Sequence, residues 1–164
     1  DSPTGARQVV EAANDNGGGQ VVISGHRAAI ERAIEIAKGK GIRRAMLLPV
    51  SAPFHCALMG PAADAMAEAL EANPPLPPIV PLIANVSAAK ETDPDRIRDL
   101  LVKQVTATVR WQECVKTTIG LGVTNFVELG AGKVLSGLIK RIAPDATGVS
   151  ASTPAEIEAV LKTL

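Results

Sequence analysis

The chain has 164 residues, 46% hydrophobic and 21% charged, a composition typical of one globular domain or of one domain with a small appendage. Lys and Arg together number 17, as do Asp and Glu, so no net charge attracts nucleic acid or an anionic membrane. The three aromatic residues Phe54, Trp111 and Phe126 are too few for base stacking, which argues against nucleic-acid binding. Neither a signal peptide nor a membrane-length apolar run is evident, which predicts a reduced cytoplasmic setting.

The first third of the chain alternates short apolar runs with glycine-rich breaks. Apolar residues up to Ala13 predict a short helix, which ends at a tight loop of three Asx residues and three glycines over residues 14–19. Residues 21–23 are typical of a buried strand. Apolar positions three and four apart over residues 30–37 predict an amphipathic helix, and residues 45–50 predict another strand.

The middle of the chain is rich in proline. Pro61 suits the first turn of a helix. Residues 73–78 contain four prolines and predict an extended connector, because proline blocks helix formation. Residues 79–86 are apolar enough for a buried strand, although Pro81 favours an edge or a bulge. For the helix that begins at Pro61, the predicted inner face is Ala62, Met66, Ala69 and Leu70.

The last part of the chain alternates helices and strands. Asp93 followed by Pro94 predicts the start of a helix, and Gln104 lies on its apolar stripe, where a polar side chain needs hydrogen-bond partners. The alternation predicts an α/β fold with a mostly parallel sheet covered on both sides. The later elements are a helix at 111–119, a strand at 123–129 and a turn at 130–132. A helix follows with Val134, Leu135, Leu138 and Ile139 facing inward. A capping box at Thr153 then begins a last helix, whose predicted buried face is Ile157, Val160, Leu161 and Leu164.

His55 is the first candidate for chemistry. It lies between two apolar runs, the second beginning with proline, where an imidazole at a strand-to-helix junction can face a cleft and exchange protons near neutrality. Taken by itself, the spacing equally suits a histidine that caps a helix or fills a gap. The other histidine, His26, is interpreted as a turn residue near a helix start. Cys56 and Cys114 are interpreted as small buried residues, and their spacing does not favour a metal site.

Three stretches of the sequence resemble the malonyl-CoA:acyl carrier protein transacylases: Ser24-Gly25, residues 49–59 (Pro-Val-Ser-Ala-Pro-Phe-His-Cys-Ala-Leu-Met) and residues 128–141. The resemblance runs from about Asn14 to the C-terminus and corresponds to the C-terminal half of the family. It implies a small, incomplete ferredoxin-like subdomain over residues 1–51. Residues 52–164 would form part of a larger α/β-hydrolase-like core.

The resemblance implies catalytic roles for His55 and Gln104. His55 would be the base that activates a serine nucleophile, and the main-chain carbonyl of Gln104 would orient its imidazole. Phe54 would favour unbranched malonyl over 2-methylmalonyl, because its ring fills the room of an α-methyl group. Asn85, at the predicted end of a strand, is a candidate to bind the thioester arm; a turn-starting asparagine is the alternative.

The turn Glu128-Leu-Gly-Ala-Gly-Lys resembles the family's Glu-x-Gly-Pro-Gly-basic segment, with Ala131 in place of the proline. A glycine turn that leads into a helix exposes N–H groups that favour an anion, so Gly130 and Gly132 are candidates to contact phosphate or pantetheine. The alternative is a turn that needs glycine only for close packing.

The family's nucleophile elbow, Gly-His-Ser-x-Gly, would lie upstream, and no Gly-x-Ser-x-Gly occurs in these residues. The arginine for the malonyl carboxylate and a glutamine of the oxyanion hole would also lie upstream. Because the first residue is Asp1 and not Met, the chain is expected to be a processed or excerpted part of an enzyme and inactive alone.

The resemblance implies malonyl-CoA and phosphopantetheinylated acyl carrier protein as substrates, without a metal or other cofactor, in a cytoplasmic enzyme of fatty-acid biosynthesis that is monomeric when intact. Two alternatives remain: a non-catalytic α/β interaction module, and the acyltransferase domain of a polyketide synthase. Because carrier proteins are usually acidic, the candidates for a docking surface are Arg43, Arg44, Lys133, Lys140 and Arg141.

Overall fold

The structure is a computed structural model that describes residues 7–163. Strands and helices are mixed along the chain, as the sequence predicts, and the α/β fold class is confirmed. The elements are β1 (Val10–Asp15), β2 (Val21–Gly25), α1 (Arg27–Gly39), a 3₁₀ turn (Ala57–Met59), α2 (Gly60–Ala72), β3 (Leu82–Ile83), β4 (Lys90–Glu91), α3 (Pro94–Lys103), α4 (Trp111–Gly120), β5 (Asn125–Leu129), α5 (Val134–Ile142), β6 (Thr147–Ala151) and α6 (Pro154–Leu161).

The first element is a strand, so the helix predicted up to Ala13 is wrong. The glycine-rich loop forms a hairpin turn, in which the N–H of Gln20 bonds to the carbonyl of Gly17, and this turn places β2 antiparallel to β1. Strand pairing then satisfies the backbone that a helix would have satisfied internally. At Gly25 a Cβ would lie 2.1 Å from the carbonyl oxygen of Val9, so the hairpin closes only with glycine there.

Two predicted strands are mostly not formed. Residues 45–50 form no strand and belong to none of the ladders within residues 7–163, and Met46 is 72% exposed. Of residues 79–86, only Leu82–Ile83 forms a strand, antiparallel to β4, and Ile79 is fully exposed. An apolar run becomes a buried strand only where a neighbouring strand covers it.

Helix α2 begins with Pro61 in its first turn, as predicted, but its packed face differs from the prediction. Ala63, Ala67 and Leu70 are half-buried, whereas Ala62, Met66 and Ala69 are exposed. Asp64, Glu68 and Glu71 form an acidic stripe, and periodicity therefore predicts burial of the opposite face; the half-buried residues lie instead on a flank of the helix, on the side where α2 contacts α3.

The C-terminal part is a β–α–β unit. Strands β5 and β6 are parallel, and α5 packs on them through Leu138 and Ile139, which are buried; Val134 and Leu135, also predicted to face inward, are exposed. The strand β6 is absent from the sequence prediction. Residues 7–163 contain this one parallel pair and two antiparallel pairs, so the mostly parallel sheet is wrong for the described chain.

The last helix, α6, begins with the predicted capping box. Thr153 accepts from the N–H of Glu156, whose carboxylate accepts from the N–H of Thr153. The predicted buried face is exposed at Ile157 and Leu161, while Val160 is half-buried and Leu164 lies outside the described residues.

Residues 108–109, which precede α4, contact β1. Asp15 and Val109 form a main-chain hydrogen bond of 2.9 Å, and Thr108 donates its hydroxyl proton to the carbonyl of Ala12. The predicted boundary between residues 51 and 52 stays a prediction. Within residues 7–163, no helix combines the length and apolarity needed to cross a bilayer.

Candidate active site

His55 lies in a turn that follows residues 45–53, which form no helix or strand, and it precedes the 3₁₀ turn that leads into α2. Its φ of +59° puts a non-glycine residue in the left-handed region, which is disfavoured by about 1–2 kcal/mol because the Cβ crowds the backbone. Strain of this kind persists where surrounding contacts hold a residue in place, and it is common at functional sites.

The imidazole of His55 contacts the end of α3. Its Nδ1 lies 2.9 Å from the main-chain carbonyl oxygen of Gln104, the residue that caps the C-terminus of that helix. A carbonyl only accepts, so Nδ1 carries the proton and the lone pair is on Nε2. The structure therefore contains the contact that the family resemblance implies; the catalytic roles of the two residues stay predictions.

The carbonyl of Gln104 is available because it lies in the last turn of a helix. The N–H of Gln104 bonds to the carbonyl of Leu100, as in any helical turn, whereas carbonyls of the last turn lack intrahelical partners. The end of α3 can therefore replace the carboxylate that often orients a catalytic histidine.

Asn85 joins the same cluster through a side chain. Its Nδ2 donates to Oε1 of Gln104 across 3.2 Å, and its main-chain carbonyl accepts from the N–H of Arg110. The side chain is half-buried beside a small cleft of about 70 Å³ that Gln104 and Leu101 also line. The structure thus brings together His55, Gln104 and Asn85.

Two residues of this cluster were missed by sequence reasoning. Glu11 on β1 accepts the N–H of Ala57 at 2.9 Å, which ties the first hairpin to the loop after His55. Arg110 donates to the carbonyls of Val86 and Ser87 at 3.1 Å each. The only signal in the sequence is a charged residue within each apolar stretch, and that signal does not indicate a partner.

Arg110 is also paired with Glu113 on α4, whose carboxylate oxygens it contacts with two nitrogens. This side-chain hydrogen bond raises the pKa of Arg110 and lowers the pKa of Glu113. Glu113 is exposed and Arg110 half-buried, so the pair contributes little to stability, and its effect is to fix the direction of the guanidinium.

The turn at Gly130 and Gly132 is bound within the protein. Both glycines have positive φ, and the N–H of Gly130 bonds to the carbonyl of Ala151. The carboxylate of Glu128 accepts from the N–H groups of Leu135 and Ser136 at the start of α5. These bonds lower the pKa of Glu128, which remains an anion. Glu128 therefore occupies the helix end that was predicted to attract a substrate phosphate.

Phe54, next to His55, is 47% exposed, so its ring is free to border a substrate. A cleft of about 430 Å³ lies between α2 and α3 and is lined mainly by charged residues such as Arg98 and Lys103. His55 does not line that cleft, and the candidate base lies instead in the hydrogen-bonded cluster of His55, Gln104 and Asn85.

The remaining candidates are placed as follows. His26 precedes α1, and its Nδ1 accepts from the N–H of Val9 at 2.9 Å. Cys56 and Cys114 are buried free thiols, as predicted, and burial raises the pKa of Cys114. Residues 7–163 contain no group of three potential metal ligands. The side chains proposed for docking a carrier are all exposed: Arg43, Arg44, Lys133, Lys140 and Arg141.

Comparison with known proteins adds a second line of evidence. No protein-family model matches the chain. A malonyl CoA-acyl carrier protein transacylase of Salmonella typhimurium is 46% identical over 154 residues, which are 94% of this chain and 50% of that protein. The crystal structure of acyl-carrier-protein-S-malonyltransferase from Bartonella henselae is 54% identical, with a TM-score of 0.89 over 94% of this chain and 49% of that one.

A third similar structure is a malonyl-transacylase in complex with its type II PKS acyl-carrier protein. It is 40% identical, with a TM-score of 0.89 over 96% of this chain and 51% of that one. The chain thus spans about half the length of the relatives it matches.

Proposed function

Because this chain is homologous to the C-terminal half of the malonyl CoA-acyl carrier protein transacylases, we propose that it supplies the general base of a malonyl transfer from coenzyme A to an acyl carrier protein. The observation that carries the proposal is the hydrogen bond of 2.9 Å between Nδ1 of His55 and the carbonyl of Gln104. In the neutral imidazole this bond places the proton on Nδ1 and the lone pair on Nε2, as a base requires.

In the proposed first step, Nε2 of His55 takes the proton of a serine hydroxyl supplied by the half of the enzyme that this chain does not match. The serine oxygen bonds to the thioester carbonyl of malonyl-CoA, the carbon–sulfur bond breaks, and the imidazolium returns the proton to the coenzyme A thiolate. In the second step, the phosphopantetheine thiol of the carrier gives its proton to His55 and attacks the malonyl ester. The serine oxygen leaves and regains that proton.

The surroundings of His55 support this role. The carbonyl at the C-terminal end of α3 holds the imidazole in one orientation through both steps, because it accepts the hydrogen bond from Nδ1. The exposed ring of Phe54 would favour unbranched malonyl, a bias of about 1–3 kcal/mol against one extra methyl group. The basic side chains at the surface of α5, Lys140 and Arg141, would attract an acidic carrier, in the cytoplasm where fatty acids are made.

The test is the intact mass of the full-length polypeptide that carries this chain after brief exposure to malonyl-CoA. We expect a malonyl adduct that disappears when phosphopantetheinylated carrier is added. His55→Ala should abolish adduct formation, whereas the control His26→Ala should keep it. A normal adduct in His55→Ala would remove His55 from the mechanism. No adduct on the folded wild-type protein would instead favour a non-catalytic module.

A further inference from the structure

Gln104 makes two separate hydrogen bonds, one through its main chain and one through its side chain. Its main-chain carbonyl accepts from Nδ1 of His55, and its side-chain Oε1 accepts from Nδ2 of Asn85. The residue caps α3, in the turn of a helix that frays most readily. A helix end with its side chain fixed holds its carbonyl more precisely than an end whose side chain is free.

Asn85 is itself held by α4. Its carbonyl accepts from the N–H of Arg110, and the Arg110 guanidinium donates to the next two carbonyls, those of Val86 and Ser87. Thr117 of the same helix donates to the carbonyl of Ala88 at 2.7 Å. The loop that presents Asn85 is therefore bound to α4 at several consecutive residues.

The side-chain amide of Asn85 thus has a partner inside the protein. The sequence suggested a thioester arm as its ligand, but one of its N–H groups already points at Gln104 across 3.2 Å. Because the amide of Gln104 is half-buried, losing that donor would leave its Oε1 without this hydrogen bond and free the last turn of α3.

We propose that Asn85 is a positioning residue for His55, acting through the side chain of Gln104, and that Arg110 holds Asn85 in place. The chain of contacts runs from α4 through the loop at residues 85–87 to the end of α3 and then to the imidazole. The inference rests on the proposed function for its kinetic consequence, but the geometry of His55 can be measured without any activity.

The first measurement is the ¹⁵N-detected Nδ1–H signal of His55 in the full-length polypeptide. The signal is assigned to His55 because it is absent from the spectrum of His55→Gln. In Asn85→Ala, the Nδ1–H proton should exchange with water faster than in the wild type. The matched control is Asn73→Ala, because the Asn73 amide also bonds to a carbonyl at a helix end, but that carbonyl belongs to Ala69 of α2 and not to α3. An unchanged His55 signal in a folded Asn85→Ala protein would overturn the proposal.

The second measurement is a double-mutant cycle on kcat and KM for malonyl transfer to the carrier. Asn85→Ala and Gln104→Ala should each slow kcat by about fivefold, the equivalent of one ordinary hydrogen bond, with little change in KM. The double variant should be no slower than either single variant, because both remove the same contact. Multiplying effects, or a rise in KM alone, would show that Asn85 acts on substrate directly and would overturn the proposal.

A second variant covers the case in which Asn85→Ala does not fold. Asn85→Leu keeps the approximate size of the side chain and removes both its donor and its acceptor, so the Gln104 amide cannot recover the contact by rotating. It should produce the same faster exchange at His55, and a folded Asn85→Leu protein with the wild-type signal would count against the relay. A wild-type protein that forms no adduct would refute the proposed function, whereas the exchange measurement would still decide the positioning role.

Discussion

The left-handed backbone of His55 leads to a specific stability prediction. At φ of +59°, glycine is the favoured residue, so replacing His55 by glycine should leave a more stable protein than replacing it by alanine. This order is the reverse of the usual one, because alanine normally exceeds glycine in stability wherever φ is negative. The comparison isolates the backbone, since both variants lack the imidazole.

The magnitudes follow from two terms. Both variants lose the hydrogen bond to Gln104, which reduces the free energy of unfolding by about 1 kcal/mol. The glycine variant also relieves about 1–2 kcal/mol of left-handed strain and loses about 0.5–1 kcal/mol through the greater entropy of its unfolded chain. We therefore expect His55→Gly to be more stable than His55→Ala by about 0.5–1 kcal/mol.

Urea denaturation of the full-length polypeptide would measure this difference as a shift in midpoint at constant slope. Ala65 provides the matched control, because it lies exposed inside α2, where Ala65→Gly should lower stability by about 1 kcal/mol. Equal or greater stability of His55→Ala relative to His55→Gly would refute the left-handed conformation. It would also remove the argument that strain marks this residue as functional.

Two further predictions concern protons. The imidazoles of His55 and His26 should be opposite neutral tautomers in ¹⁵N spectra, because Nδ1 of His55 donates to the carbonyl of Gln104 whereas Nδ1 of His26 accepts from a main-chain N–H; identical tautomers would contradict one of these contacts. Hydrogen bonds from the N–H and hydroxyl of Ser152 lower the pKa of Glu156 from its ordinary 4.5 to about 2. The contribution of Glu156 to the free energy of unfolding should therefore be complete above pH 4.5 and be lost as pH falls towards 2. Glu156→Gln should reduce the loss of stability between these pH values, and an unchanged loss would contradict the capping box.

Elements that depend on neighbours in sequence were predicted well. The Asp93–Pro94 start of α3 and the capping box of α6 are both present, because a cap is formed by residues within one turn of each other. The helix predicted over residues 30–37 lies within α1, Arg27–Gly39. These features need no information about the rest of the fold.

Elements that depend on distant partners were predicted poorly. The segment before Asn14 reads as a helix by itself and becomes a strand because the hairpin supplies β2. The strand β6 was not predicted, because Thr147–Ala151 has only two β-branched residues. It forms because β5 lies beside it. Residues 45–50 have a strand-like sequence but remain unpaired within the described chain.

The candidate site divides in the same way. Its key residue, His55, could be identified from the sequence because the surrounding residues 49–59 carry the family resemblance, and the same resemblance pointed to Gln104. The contacts of Asn85, Arg110 and Glu11 could not be identified, because no short-range pattern records them.

The sequence by itself determined the class of fold, the helix ends and the histidine on which the proposed chemistry depends. Tertiary structure alone decided which strands formed, and which groups hold His55. The physical reason is the range of the interactions: caps and helical periodicity act over a few residues, whereas the His55–Gln104 bond spans 49 residues and the Ala57–Glu11 bond spans 46. Contacts of that range exist only after the chain has folded and brought the elements together.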